Sequence, residues 1–299
     1  MISLRTVLTL FGLMTLPGSC IAASSEPEQA KQGKAAPQAI AAPAPVSIGQ
    51  FKLNRAPQQG GLALGWVPEG TIRLVVDGRD VSFASDRRFV IGFGRDYATT
   101  VLITAFLRNG EAVTEKLPVR PTAWIVENLS RLPHHAQPDA EFQARRPAEL
   151  AQINAARRVN AQSDGWRQSF IWPARGRISG FFGSQRIYAG QPGAPHGGVD
   201  IAGGAGATVI APADGVVILA AASPFTLEGN LLMIDHGMGL NSAFLHLSRI
   251  DVKTGDVVRQ GQPIGAIGMT GRATGPHLHW GMKWGDERID PATLPPPMR

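Results

Sequence analysis

Two histidines near the end of the chain have the spacing of a paired site. His277 and His279 lie two positions apart within residues 275–280, beside Leu278 and Trp280, which favour a strand. Side chains at i and i+2 of a strand point to the same face, so the two imidazoles are expected to project side by side. A half-exposed strand with hydrogen-bonded histidines would show the same pattern, so the pair alone does not identify a metal site.

A second pair of ligand-type residues lies upstream, at His196 and Asp200. In an extended strand, residues four apart are separated by about 13 Å, which is too far for one ion with ligands near 2 Å. Gly197 and Gly198 allow the backbone to bend between them. With His279, the pair gives two imidazoles and one carboxylate, a set that leaves the fourth position of a zinc ion open for water, as in catalytic sites.

Two further histidines could transfer protons in such a site, namely His246 and His277. Imidazole is the usual group for moving a proton or for stabilising a developing oxyanion. A single histidine in an apolar segment such as 244–248 is more often a hydrogen-bonded core residue. Its occurrence in one ordered set with the ligand-type residues favours a functional role.

These residues need a β framework to bring them together. Glycine-rich, apolar segments predict strands at residues 176–183, 208–210, 215–219, 231–234, 241–246 and 264–268. No helix-length periodic segment interrupts them. The sequence therefore predicts an all-β fold in which residues 169–299 form a Gly-rich antiparallel β-sheet domain.

The preceding residues predict a second β domain and a connector. Between residues 46 and 127, alternating runs separated by turns at 77–78 and 109–110 indicate a small Ig-like β-sandwich that serves in spacing or docking. Residues 128–168 are expected to form a partly helical connector, with a helix at 147–159 that begins at Pro147. His134 and His135 are expected at its surface. We hypothesise that residues 134–165 cover the cleft of the following domain, where the predicted site lies.

The first residues are typical of a secretory signal. Residues 1–23 combine Arg5, a short apolar run and small residues, and residues 24–45 have the composition of a disordered linker. The mature protein is therefore expected outside the cytoplasm, in a bacterial periplasm. A lipid anchor at Cys20 is the less favoured alternative, because Pro17 replaces the aliphatic residue that such signals usually carry.

Composition excludes some classes of function. A net charge of +6 in 299 residues suits either a polyanionic partner or an ordinary basic surface. There is no Lys/Arg-rich run, RNA-binding signature or zinc-finger spacing, which argues against nucleic acid. Cys20 is the only cysteine, so an intrachain disulfide and a cysteine-based zinc site are excluded.

Residues 170–291 resemble the lysostaphin-like, LytM-type zinc metallopeptidases that cut peptidoglycan peptides. The matching motifs are His196 with Asp200, the turn 211–215, residues 246–248, 255–261 and 270–279, and the closing pair Asp290 and Pro291. The resemblance implies that His196, Asp200 and His279 bind one zinc ion. It also implies that His246 and His277 act on the scissile carbonyl.

Other features of the sequence indicate which bond is cut. The signal segment, the linker and the single cysteine suit a Gram-negative periplasm, where the cross-link is usually D-alanyl to diaminopimelate, so we expect a D,D-endopeptidase rather than a glycine-bridge cutter. Cell-division or wall-remodelling proteins are possible partners. Some relatives are non-catalytic regulators of other wall hydrolases, and Phe244, where the family often has tyrosine, keeps that alternative open. Residues 255–264 are also similar to the turn of biotinyl and lipoyl carriers, but Lys253 lacks the flanking residues that those domains need.

Overall fold

The computed structural model describes residues 46–48, 50–129 and 139–298. The predicted signal peptide with Cys20, the predicted linker, and His134 and His135 lie outside these residues. In the described parts of the chain, no helix combines the length and the apolar character needed to cross a membrane.

The first eight strands form the predicted β-sandwich. They are β1 (Val46–Ile48), β2 (Phe51–Leu53), β3 (Leu62–Trp66), β4 (Thr71–Val76), β5 (Arg79–Val81), β6 (Arg88–Gly92), β7 (Thr100–Leu107) and β8 (Ala112–Pro118). One sheet has the order β1-β2-β3-β6 and the other β5-β4-β7-β8. Phe51 and Ile91 of the first sheet pack in one core with Ile103 and Leu117 of the second. Alternating apolar residues thus bury one face of each sheet, as the sequence predicts.

A small third sheet connects this sandwich to the rest of the chain. Strand β9 (Val126–Leu129) pairs in parallel with β11 (Gln185–Tyr188), which also pairs with β12 (Gln191–Pro192). The boundary predicted at residue 127 therefore falls inside a strand. The segment that precedes His196 is held against the N-terminal part of the molecule by backbone hydrogen bonds.

The connector contains one helix, α1 (Ala140–Arg157), and its predicted start at Pro147 is wrong. The helix begins earlier because the Asp139 side chain accepts a hydrogen bond from the Phe142 N–H at 2.7 Å, which caps the first turn. Pro147 lies inside the helix, at the cost of one backbone donor. Ile153 and Ala156 are buried, and this packing stabilises the helix despite the proline.

The predicted C-terminal sheet is present and antiparallel, with ten strands. Its strands are β10 (Arg177–Gly180), β13 (Gly198–Ala202), β14 (Thr208–Ile210), β15 (Gly215–Ala220), β16 (Asn230–Gly237), β17 (Leu240–Ile250), β18 (Val257–Val258), β19 (Pro263–Ile267), β20 (Leu278–Trp284) and β21 (Glu287–Ile289). The main order is β10-β13-β20-β17-β16-β15-β18, with β14 on β19, β19 on β17 and β21 on β20.

The two faces of this sheet have different surroundings. Leu278, Trp280 and Met282 of β20 point into the main core. The alternate residues of the same strand, beginning with His279, point to the opposite face, as the two-residue period of a strand requires. Helix α1 packs on that opposite face, where Ile153 contacts a small apolar cluster of β15 and β16. The sheet therefore presents a cleft beside the helix.

Candidate metal centre

Adjacent antiparallel strands bring the three predicted ligands together. Asp200 of β13 lies directly opposite His279 of β20 in the strand register. His196 precedes β13, which begins at Gly198. Its Nε2 lies 3.2 Å from Asp200 Oδ1, far closer than the about 13 Å between residues four apart in an extended strand. A Cβ atom at Gly198 would lie 2.8 Å from His279 Nε2, so a glycine is needed for this close approach. The bend that the sequence requires is thus present.

The three ligand-type atoms form a compact triangle. His196 Nε2 lies 3.1 Å from His279 Nδ1 and 3.2 Å from Asp200 Oδ1, and His279 Nδ1 lies 2.8 Å from the same oxygen. Ligands about 2 Å from a tetrahedral zinc ion are roughly 3.3 Å apart. The donor set is two imidazoles and one carboxylate, which is a usual set for catalytic zinc. The residues therefore fit the ion that the sequence resemblance implies.

Neighbouring groups orient these side chains. The Nδ1–H of His196 donates to the Phe181 carbonyl at 3.1 Å, which leaves Nε2 directed at the triangle. The backbone around Phe181 is tied in turn to the N-terminal module, because Arg95 Nε donates to the Gly183 carbonyl at 2.9 Å. Burial opposes ionisation of Asp200, but hydrogen bonds from both histidines outweigh it and hold the pKa of that carboxyl well below its usual range.

The two remaining histidines lie side by side next to the triangle. The ring centroids of His246 and His277 are 4.8 Å apart, and His277 Nε2 is 3.8 Å from Asp200 Oδ1. Each ring uses Nδ1–H to donate to a backbone carbonyl, Thr270 for His246 and Gly275 for His277, both at 2.8 Å. These bonds assign the tautomer, so Nε2 of each neutral ring is the free nitrogen.

His246 has an unusual backbone conformation inside β17. Its φ is 64°, in the left-handed region that non-glycine residues rarely adopt. The backbone N–H of His246 donates to the Glu228 carbonyl at 2.8 Å, outside the regular strand ladder. Burial lowers the pKa of its imidazole, which keeps the ring neutral near pH 7. Strained residues of this kind are concentrated at functional sites.

All five predicted site residues line one cleft of about 460 Å³. Helix α1 forms part of its wall through Arg146, Ile153 and Arg157. Phe244 is fully buried in the core, whereas its neighbours in β17 line the cleft. A tyrosine hydroxyl at position 244 would consequently point into the core rather than towards the cleft.

Several contributors to the site carry no signal in the sequence. The carbonyls of Phe181, Thr270 and Gly275 orient three histidines, but any residue supplies a carbonyl. The anchoring of α1 was also missed. Arg146 makes a two-pronged ion pair with Glu228 at 2.6 and 2.8 Å, and Glu149 accepts hydrogen bonds from the backbone and hydroxyl of Thr226. Only the spacing of Arg146 and Glu149 on one helix face could have suggested a buried polar contact.

Comparison with known proteins places this cleft in a family. The sequence model of the family described as Peptidase family M23 matches residues 194–291, which contain all five histidine and aspartate positions. The crystal structure of a peptidase M23 protein from Pseudomonas aeruginosa is 30% identical, with a TM-score of 0.61, and the match covers 80% of this chain and 95% of that one.

Two curated relatives match over shorter regions. The peptidoglycan DD-endopeptidase ShyA of Vibrio cholerae is 43% identical over 114 residues, which cover 38% of this chain and 26% of that protein. The cell division protein DipM of Caulobacter vibrioides is 33% identical over 133 residues, covering 42% of this chain and 21% of that protein. The chain thus spans about a quarter or less of the length of these relatives.

Proposed function

Because this chain belongs to peptidase family M23, we propose that it is a zinc-dependent endopeptidase that hydrolyses peptide cross-links of bacterial peptidoglycan. The observation that carries the proposal is the triangle of His196, Asp200 and His279 beside two histidines with free Nε2 atoms. The similarity to ShyA supports peptidoglycan as the substrate.

His196 Nε2, Asp200 Oδ1 and His279 Nδ1 would hold the zinc ion. When bound, zinc would polarise the scissile carbonyl and lower the pKa of a water molecule towards about 7. Phe181 would keep His196 in the tautomer that directs Nε2 to the ion. The carboxylate of Asp200 would remain ionised across the working pH range, since its pKa lies far below neutrality.

His246 would serve as the general base. Its Nδ1–H is held by Thr270, so Nε2 can accept the proton that the attacking water loses. The lowered pKa keeps this nitrogen unprotonated before attack. The same proton can then pass to the nitrogen of the departing amine, which needs it to leave. Regular alternation from Phe244 would turn residue 246 to the core face, and the left-handed backbone at His246 accounts for its place in the cleft lining.

His277 would stabilise charge on the carbonyl oxygen. Its Nδ1–H is used by Gly275, so only a protonated ring can donate from Nε2 to an oxyanion. Its Nε2 lies 3.8 Å from Asp200 Oδ1, so the ring borders the triangle. The two histidines would therefore have different roles, His246 as proton acceptor and His277 as donor to the carbonyl oxygen.

The finer assignment concerns the bond and the compartment. We propose a D,D-endopeptidase that cuts D-alanyl to diaminopimelate cross-links in the periplasm, supported by the similarity to the peptidoglycan DD-endopeptidase ShyA. The predicted signal peptide supports export. The similarity to DipM supports a partner among cell-division proteins. The lipid anchor at Cys20 stays the less favoured alternative.

Incubation of the purified protein with cross-linked peptidoglycan, with and without a chelator, tests the proposal. We expect release of peptide fragments that stops on chelation and returns on addition of zinc. Mass spectrometry of the released fragments would show which bond is cut, because it identifies the residue that carries each new amino group. If zinc-loaded protein released no fragments, the proposal would be overturned. That result would favour the alternative of a non-catalytic regulator of other wall hydrolases.

A further inference from the structure

The cleft carries more positive charge than its chemistry requires. Its lining includes the cationic side chains Arg146, Arg157, Arg272, Lys283 and Arg288. The carboxylates in the lining are Asp200, which lies between the ligand histidines, and Glu228, which is held by Arg146. In the described structure, neither carboxylate forms an ion pair within 4.0 Å with the cations at the other end of the cleft.

Arg157, Lys283 and Arg288 form one group at that end. Lys283 and Arg288 are direct partners across the β20–β21 pairing. Lys283 shares the face of β20 with His279, four positions away, which is about 13 Å along a strand. Arg288 extends back towards the metal centre. Its Nη1 would lie 2.7 Å from a Cβ atom placed at Gly197, the residue that follows His196.

Arg157 contributes from the opposite wall, as the last residue of α1. Among the described residues, its Nε is the one buried side-chain nitrogen or oxygen without a hydrogen-bond partner. Ion pairs within 4.0 Å are found at many other arginines in the described ranges, but none involves Arg157, Lys283 or Arg288. Three cations therefore converge without a protein carboxylate in contact.

This arrangement is unfavourable without an anion. Burial, and to a lesser degree Arg288, lowers the pKa of Arg157. Burial and Arg157 likewise lower the pKa of Lys283. Asp286 acts on both Arg157 and Lys283, Glu228 acts on Arg157, and Glu287 acts on Lys283, but in the described structure none of these carboxylates lies within 4.0 Å of the three cations. A carboxylate bound in the cleft would offset the mutual repulsion.

We propose that Arg157, Lys283 and Arg288 form a subsite for a free carboxylate of the peptide substrate. The inference rests on the proposed function, since peptidoglycan peptides carry such carboxylates within a few residues of the cross-link. The distance from His279 places the recognised carboxylate within about four residues of the scissile bond, at 3.3 Å per extended residue. The carboxylate can belong to the C-terminal D-alanine or to the side chain of the diamino acid.

The test uses the zinc-loaded full chain and three cross-linked peptides. One has all carboxylates free, one is amidated at the C-terminus, and one is amidated on the diamino acid. For wild type, we expect KM to rise about 10- to 100-fold with whichever amide removes the recognised group, the range for a charge-assisted hydrogen bond. Arg157→Gln and Arg288→Gln should raise KM similarly for the free peptide, with kcat and zinc content unchanged.

Controls separate recognition from folding and from general charge. Arg177→Gln removes a charge from β10 outside the cleft lining and should leave KM unchanged. Arg288→Lys keeps the charge and should restore part of the affinity. For the peptide whose amide affects wild type, the glutamine variants should show no additional loss. Equal KM values for all three peptides, or an equal effect of Arg177→Gln, would overturn the subsite.

A binding experiment distinguishes failure of the subsite from failure of the proposed function. With the His246→Ala protein, calorimetry of the uncleaved peptides measures Kd directly. The peptide with all carboxylates free should bind about 10- to 100-fold more tightly than the peptide in which the recognised carboxylate is amidated. If wild type cleaves none of the peptides but this difference is found, the proposed function fails and the subsite stands. If peptides are cleaved and no difference is found, the subsite fails alone.

Discussion

His236 and His246 lie on neighbouring strands of one hairpin, yet they occupy opposite faces of the sheet. Both are buried, with 0% and 7% of their surface exposed. His236 uses both nitrogens in the core: Nδ1–H donates to the Asp214 carbonyl and Nε2 accepts from the Ser242 hydroxyl, each at 2.8 Å. His246 uses one nitrogen and directs the other into the cleft. Burial alone does not distinguish these two histidines, whereas the number of satisfied nitrogens does.

The same contrast extends to the backbone and to the neighbours. His236 has ordinary strand geometry and belongs to a chain of hydrogen bonds that runs from Trp280 through Ser242. His246 has a φ of 64° and is surrounded by other titratable rings. The core face is therefore satisfied and relaxed, and the cleft face retains unused donors, acceptors and charge. Four experiments test this contrast between the two faces of the sheet.

The largest effect is expected at His279. His279→Ala removes one of the three proposed ligands, so zinc content should fall from about one ion per chain to near zero, together with all turnover. The loss of affinity should exceed the roughly 10- to 100-fold that outer hydrogen-bond partners contribute. Metal analysis after dialysis measures it. Full zinc retention with normal activity would remove His279 from the metal centre.

His246→Ala should separate catalysis from metal binding. The ring lies beside the triangle without belonging to it, so zinc content should stay near one per chain while kcat falls about 10²- to 10⁴-fold, the usual contribution of a general base. Metal analysis and single-turnover rates on one preparation provide the measurement. Loss of the metal in this variant would show that His246 is a ligand, contrary to the assigned role.

Much of this arrangement could be predicted from the sequence, because spacing determines which side chains share a face. The strands of both β domains and the grouping of His196, Asp200 and His279 follow from alternation and from the glycines that permit the bend. The start of α1 did not follow, because Pro147 suits a first turn and the Asp139 cap has no distinctive pattern around it. The close approach of Arg157 to Arg288 depends on how a helix packs on a distant sheet, which the local sequence does not encode.

On the core face, His236 should make the fold sensitive to acid. Burial lowers its pKa to about 4 from the ordinary 6.5. Below pH 6.5 the unfolded chain binds a proton that the folded chain excludes, so stability is present above pH 6.5 and is lost as pH falls towards 4. The shift corresponds to about 3 kcal/mol. Urea unfolding of zinc-loaded protein across this range measures it.

The informative quantity is the difference between wild type and His236→Gln. Asp290 titrates in the same range with the opposite sign, since burial raises its pKa to about 6 and the folded state then gains stability as pH falls. Subtracting the two curves cancels this contribution. The variant should be less stable at pH 7 but should lose less stability on acidification. Parallel curves would mean that His236 does not titrate between pH 6.5 and 4.

The smallest effect is expected from a methyl group added behind the metal centre. A Cβ atom at Gly180 would overlap Asp200 Oδ2 and lie 3.0 Å from His196 Cε1, so Gly180→Ala must displace two of the proposed ligands without removing either. Zinc affinity should fall about 10- to 100-fold, as when an orienting contact is lost. Gly275→Ala is the matched control, because its added methyl meets nothing within 4 Å. Competition with a zinc-sensitive dye gives both affinities. Equal affinities would show that the residues of the metal centre tolerate this displacement, contrary to the expected loss.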